Sequence, residues 1–535
     1  MATTLIRSRA ALSPKPGLAP VETIADGAVL QENGIIAEVG TYDDLHRRYP
    51  NTPVIGTGDQ ILLPAFVNSH HHVGLTPMQL GSPDMPLELW FVTRMVARNL
   101  NLYLDTLYSA FEMVSSGITT VQHIHGWLPG TPDEVRGKAD DVIRAYEDIG
   151  MRVSYCYAVR DQNRLVYQDD AELVASLPPE LRGPMQAWFD RFRLSLDDAM
   201  DMFVSLHGAH AGKDRVRIQL APANLHWCSD GALGKLADAS EKYQVPMHMH
   251  LVETAYQKEY AMRRGGCTAV EYLDRFGLMN ERMTLGHGVW LNEKDIARAA
   301  ETKTCICHNC SSNFRLRSGV APLNRFLAEG VNVGLGLDEA GINDDRDMLQ
   351  EMRLVLRAHR IPGMDDDVPT MDQVLKMATV GGARTTGFGP QLGTLEKGTA
   401  ADLVLLDWQP ISYPYLDELT PILDAVLQRA KTGAVAAVIC AGEVIYADGK
   451  FTRIDQAGAL RELHADLAHA VSDDEVQRRQ LSKALLPHVK RFYAGYIDPA
   501  QHAPFYRPSS MVDTNGRLTI ASCPGGLDVN RSGQH

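Results

Sequence analysis

The sequence predicts an α/β fold: a (β/α)8 TIM-type barrel with a small composite β-sandwich built from both termini, plus a C-terminal helical extension. Three observations carry that prediction. From about residue 67 to 389, strand-like apolar runs alternate with amphipathic segments of helical period. On either side, short strands separated by turns replace that alternation. The side chains able to do chemistry fall at the ends of the apolar runs, where a barrel of this type carries its site.

The elements follow in order. Residues 1–66 form the first part of the sandwich, with runs such as "GAVLQENGIIAEVG", where Asn33-Gly34 between two apolar stretches signals a hairpin. Residues 67–389 form the barrel. Its eight strands are the run before His70, then "GITTVQHI", "RVSYCYAV", "RVRIQLAPA", "VPMHMHLVE", "MTLGHGVWL", "KTCICHN" and "VNVGLGLDE". Helical segments such as "EKDIARAAE" lie between them. Residues 390–455 return to β texture and complete the sandwich. Residues 456–535 are the extension, amphipathic and helical to about 495 and then a polar tail, and are assigned to assembly rather than chemistry.

Composition narrows the function. With 45% hydrophobic and 22% charged residues, the 535-residue chain has the make-up of a soluble protein with a large core. The net charge of −14 opposes nucleic acid as partner. The N-terminus "MATTLIRSRAAL" carries no long apolar core, and no run is long enough to span a membrane. Eight cysteines in so long a chain make no disulfide framework. Cys305, Cys307 and Cys310 read as small apolar thiols of a buried strand. The expected partners are a small-molecule substrate and further copies of the chain, a cytoplasmic homo-oligomer without nucleic acid or membrane.

The stretch "LLPAFVNSHHHVG" raises the chemical question. Alternation along a strand puts His70 and His72 on one side and His71 on the other, so two imidazoles can grip one ion. His250 and Glu253 end a later strand, His287 lies in "TLGHGVWL", and Asp338 ends "VNVGLGLD". Imidazoles with a carboxylate suit a borderline divalent ion. Glu253, three residues beyond His250, is placed to take a proton from water and pass it to a leaving nitrogen.

Together, "LPAFVNSHHH", "HLVET", "GHGVWL", "HNCSSNFRLRSGVAPL", "GLGLDEAGINDD" and "LGTLEKGTAADLVLLD" resemble the amidohydrolase superfamily, in its group of cytosine, guanine and S-adenosylhomocysteine deaminases and triazine hydrolases. The resemblance covers roughly residues 4 to 450. It implies one catalytic divalent metal per chain, zinc first with iron or cobalt as alternatives, held by His70, His72, His250 and Asp338. It implies Glu253 as proton shuttle, His287 beside the attacking water or substrate, and Asp338 as a further proton carrier. The expected activity is cleavage of a C–N bond (amide, urea, carbamate or substituted heterocycle) in a small planar molecule by metal-bound hydroxide. The alternative is deamination of a purine, pyrimidine or related heterocycle. Ala223 stands where nucleoside-type deaminases of the group usually carry a substrate-facing histidine, and Cys310 stands in place of a proline. Trp90, Met85, Trp127, Asn224, His226 and Asn313 are the candidate pocket residues. Two competing readings are a barrel with a purely structural metal and a two-metal hydrolase of the phosphotriesterase type. A spare carboxylate at Glu253 opposes the first, and the missing lysine at the end of "RVRIQLAPA" opposes the second.

Overall fold

The computed structural model describes residues 3–361, 364 and 368–497; the expected polar tail lies outside the described residues. Eight parallel strands run through the middle of the chain: β1 (Phe66–His71), β2 (Ile118–His125), β3 (Arg152–Val159), β4 (Val216–Ile218, resumed at Ala221–Pro222), β5 (Met247–Leu251), β6 (Met283–His287), β7 (Cys305–His308) and β8 (Val333–Leu335). β1 to β4 pair in sequence, as do β5 to β8. Single parallel bridges join the two sets, Leu220 to Met247 and Asn224 to His250 on one side and His71 to Asp338 on the other. Consecutive strands of this kind need crossovers, and helices supply them. Pro132–Ile149, for example, starts on a Thr131–Glu134 capping box and stops at Gly150 in the left-handed region. Every residue of β2 is buried, as expected of a strand covered on both faces.

Two further sheets use both ends of the chain. Gln60–Pro64 pairs antiparallel with Leu403–Asp407, so N-terminal and C-terminal segments share one seven-stranded sheet. The second sheet holds Gly27–Glu32 and Ile35–Thr41, joined through Asn33 and Gly34, both at positive φ as a two-residue hairpin of the mirror-image type requires. Ile6, Val29 and Ile36 from that sheet pack with Leu62, Leu403 and Ile439 from the other in one apolar core. Arg152 of β3 ties the parallel strands to this layer, since its Nε and Nη2 each lie 2.9 Å from the buried Asp402 carboxylate, next to Leu403–Asp407.

Three helices matter for the site: α1 (Leu87–Thr93), α2 (Cys310–Arg315) and α3 (Asp473–Tyr493). α3 belongs to the predicted extension. Its Leu485 and Val489 pack with Val92, Met95 and Trp188. Among the described residues no helix is long and apolar enough to cross a membrane.

Candidate active site

The ends of β1, β5, β6 and β8 converge. His72 Nε2 lies 3.0 Å from His70 Nε2 and 3.1 Å from His250 Nε2, and 3.2 Å from Asp338 Oδ1. His71 faces elsewhere, with its ring nitrogens 3.2 Å from the Asp338 carbonyl and 3.2 Å from Ser109 Oγ. Strand alternation thus separates the three adjacent imidazoles. His248, two residues before His250 on β5, backs the cluster with Nε2 2.8 Å from His70 Nδ1.

The tautomers of these rings are constrained. His72 Nδ1 lies 2.6 Å from the Ile124 carbonyl and His250 Nδ1 2.9 Å from the Ala223 carbonyl. A carbonyl only accepts, so both Nδ1 atoms carry the proton and the Nε2 lone pairs of the neutral rings face each other. Burial holds His70 and His250 well below the ordinary imidazole range, and neighbouring imidazoles add to the effect. Facing lone pairs repel unless a positive charge lies among them. Nitrogens bound to zinc at about 2.0–2.1 Å sit roughly 3.3 Å apart in a tetrahedral shell, close to the spacing seen. Burial also lowers His72, but Asp338 more than offsets it and draws His72 above its usual value. Burial pushes the Asp338 carboxyl up, yet the His72 hydrogen bond and the surrounding rings hold it well below the carboxylate range. The donor set fits a divalent cation.

Glu253 and His287 border the cluster. Val252, His287 and Asp338 have φ of 43°, 71° and 52°, left-handed values that turn the chain sharply at the strand ends. For a β-branched valine this conformation is strained, by roughly 1–3 kcal/mol, and such strain gathers at functional sites. The turn at Val252 brings Glu253 Oε2 to 3.6 Å from His287 Nε2. Burial raises the Glu253 carboxyl above its usual value, and Asp338 adds to this against His287 and a 3.0 Å hydrogen bond from Ser318. His287 Nδ1 lies 2.9 Å from Asn313 Oδ1, and Asn309 Nδ2 lies 3.2 Å from Nε2. Asn313 therefore fixes the proton on Nδ1, and Nε2, which stands on the side of Glu253 and Asp338, accepts from Asn309. Asp338 Oδ2 accepts from Ser312 at 2.5 Å and stands 3.8 Å from that same Nε2.

A cavity of about 410 Å³ opens on this cluster, and His72, His250, Glu253, His287 and Asp338 all line it. Of the pocket residues named from sequence, Trp90, Trp127 and Asn224 line it. Met85, His226 and Asn313 are not among its lining residues. Met85 packs beside Leu87, Trp90 and Leu316. His226 sits in the turn Leu225–Trp227 with its ring 4.2 Å from Tyr167, while the next residue, Trp227, takes the wall position. Asn313, on α2, stands behind His287. Phe91, the neighbour of Trp90 in the same first β/α loop, also lines the cavity, and so does Arg160, which was not foreseen. Arg478 lines it too, so α3, which the sequence assigned to assembly rather than chemistry, borders the cavity.

Cys305 and Cys307 are buried unpaired thiols of β7, as expected of a hydrophobic strand. Cys310 lies with His308 and His359 in a second group whose ligand-type atoms are within 4.8 Å of one another. There the two Nε2 atoms stand at 2.9 Å, as in an imidazole-to-imidazole hydrogen bond.

Residues 61–445 match the amidohydrolase family model, and residues 27–51 match the imidazolonepropionase-like composite domain of bacteria. A 5-methylthioadenosine/S-adenosylhomocysteine deaminase of Pyrococcus furiosus is 28% identical over 444 residues, covering 82% of this chain and 95% of that protein. A 5'-deoxyadenosine deaminase of Methanothermobacter thermautotrophicus is 30% identical over 439 residues, covering 81% and 92%. Among solved structures, an adenosine deaminase from Xanthomonas campestris with bound zinc superposes with a TM-score of 0.73 at 23% identity, covering 87% of this chain and 97% of that one. That last likeness is one of fold. The strand-end motifs, the convergent imidazoles and a family match over most of the length lead to one assignment: the chain belongs to the amidohydrolase family.

Proposed function

We propose that this amidohydrolase is a (β/α)8 barrel with a composite β-sandwich that holds one divalent ion on His70, His72, His250 and Asp338. It hydrolyses a C–N bond of a small planar molecule. Deamination of a nitrogen heterocycle is the form that the relatives support best. The observation that carries the reading is the meeting of three imidazole Nε2 atoms and one carboxylate beside a buried glutamate, all on one aromatic-walled cavity. Zinc is the ion that the donor set and the zinc-bound structural neighbour favour.

When bound, the ion acidifies the hydrolytic water and polarises the group under attack. The chain's own groups do the rest. Glu253 takes a proton from the attacking water as the oxygen bonds to the ring carbon, and delivers it to the nitrogen as the C–N bond breaks. The products are a carbonyl compound and ammonia, or an amine. Its burial-raised carboxyl suits a group that must hold and release a proton in one cycle. His287, locked by Asn313, borders the same volume through Nε2, which orients the water as an acceptor once the water takes the place of the Asn309 donor. Asp338 Oδ2, tethered by Ser312, faces it from the other side. Trp90, Phe91 and Trp127 shut out bulk water and stack on a flat ring.

A second reading, release of an amine from an amide, urea, carbamate or substituted triazine, rests on Ala223. That residue is fully buried in an apolar cluster with Ala158 and Trp227, where a purine-nucleoside site would place a histidine. One assay separates the two. The metal-loaded chain is offered aminopurines, aminopyrimidines, triazines, amides, ureas and carbamates, and ammonia and amine release are measured. Ammonia from an amino-heterocycle supports the first reading and amine release the second; no release from any class overturns both. Homo-oligomeric assembly is part of the proposal, and light scattering on the purified chain tests it.

A further inference from the structure

We propose that the molecule bound in this cavity carries an anionic substituent, a carboxylate in its simplest form, which pairs with Arg160. This deepens the reading above by naming a substrate class. Arg160 follows β3 directly. Its guanidinium carbon lies 3.7 Å from the ring centre of Trp227 and 4.7 Å from that of Trp127. A guanidinium attracted by indole faces is stabilised through its own faces, but its N–H groups lie in its plane and still require acceptors. The protein supplies few. Nε and Nη1 are buried without any hydrogen-bond partner, while the side chain as a whole keeps partial exposure and lines the cavity. An unpaired cation in so apolar a place is a burden on stability, and such burdens are kept where function uses them.

The surroundings point the same way. The chain carries a net charge of −14, yet five arginines line this one cavity: Arg94, Arg98, Arg160, Arg191 and Arg478. Four are already engaged. Arg94 lies 3.5 Å from Glu339, Arg98 2.9 Å from Glu475 and Arg478 3.1 Å from Asp474, and Arg191 also pairs with Asp474. Arg160 has no ion pair among the described residues. Although Asp105, Glu253, Asp338 and Glu339 also line the cavity, Arg160 is the lining arginine whose charge is left for an incoming anion to pair. A planar guanidinium matches the flat fork of a carboxylate. Burial lowers Arg160 to about 9, so it stays charged at neutral pH. The cavity that both groups line takes a flat ring whose reacting carbon meets Glu253 while its anionic substituent meets Arg160.

The test is binding, independent of turnover. Benzoate and benzamide, which share shape and differ in charge, are titrated into the metal-loaded chain by calorimetry, with Arg160→Gln and Arg160→Lys alongside. The wild type should bind benzoate at least tenfold more tightly than benzamide. Arg160→Gln should abolish that preference with metal content unchanged, and Arg160→Lys should retain part of it. If Arg160→Gln does not fold, the wild-type preference and its partial loss in Arg160→Lys decide the matter. Equal binding of the two probes by the wild type, or a preference intact in Arg160→Gln or undiminished in Arg160→Lys, overturns the proposal. Because no C–N bond is cleaved here, the anion subsite and the hydrolytic reading fail separately. A charge preference without any ammonia or amine release would refute only the latter.

Discussion

Replacing Glu253 by glutamine removes one proton acceptor and little else. Glu253 Oε1 accepts a 3.0 Å hydrogen bond from Ser318, which the glutamine carbonyl can keep. Glu253 is not one of the four groups that meet at His72 Nε2, so metal content should stay at the wild-type level. A positioned general acid–base contributes roughly 10²–10⁴ in rate. That corresponds to about 2.7–5.5 kcal/mol of barrier at 1.36 kcal/mol per decade. The loss should fall on kcat, measured as ammonia or amine release under saturating substrate. The wild-type rate should also decline as pH drops through the burial-raised Glu253 titration, because only the ionised form accepts a proton. Glu253→Gln should lack that limb. Fold stability at neutral pH should hold or improve, since a buried carboxylate has been neutralised. A variant with full metal content and turnover within about threefold of wild type would remove Glu253 from the chemistry, whatever the distances suggest.

Three other outcomes follow from the same geometry. His71→Ala should keep its metal while His70→Ala loses it, read by elemental analysis, because His71 bonds Ser109 and the Asp338 backbone instead of the cluster. Burial raises Glu88 from 4.5 to about 7, so between those values the native chain binds more protons than the unfolded one. The stability this gives is complete below the unfolded value and is lost as pH rises through about 7. Glu88→Gln should flatten the fall by up to about 3 kcal/mol in denaturant titrations, and an unchanged slope contradicts the assignment. Arg478→Ala should raise KM about tenfold with kcat and metal content little changed, because Arg478 donates to the carbonyls of Met95 and Ala97, 2.8 and 2.6 Å away on the cavity wall. A shift in assembly with KM unaltered would return α3 to a role in assembly alone.

How far the site was legible depended on the element carrying each residue. On strands, the period of two suffices: it parts His71 from His70 and His72. The same period in "MHMH" also marks His248 beside His250, a signal that went unread. Off the strands the side-chain direction depends on local turns that a string of letters does not reveal. Trp227 faces the cavity and His226 does not because the turn Leu225–Trp227 swings one ring inward and sets the other, tilted, against Tyr167. Asn313 was sought in the pocket and instead holds His287, since α2 presents it from behind the ring. Arg160 is visible only in three dimensions, where Trp127 and Trp227, about a hundred residues apart in sequence, flank it. The pairing of both chain ends in one sheet was readable, because β texture resumes where the alternating units stop.

The measurement that bears most directly on the site is X-ray absorption at the zinc edge, on chain loaded with one equivalent of the metal. The ligand set His70, His72, His250 and Asp338 requires light scatterers alone, three imidazole nitrogens at about 2.0–2.1 Å and one carboxylate oxygen at about 2.0–2.2 Å. A sulfur shell at about 2.3 Å would place the ion with Cys310, His308 and His359, and would contradict the account.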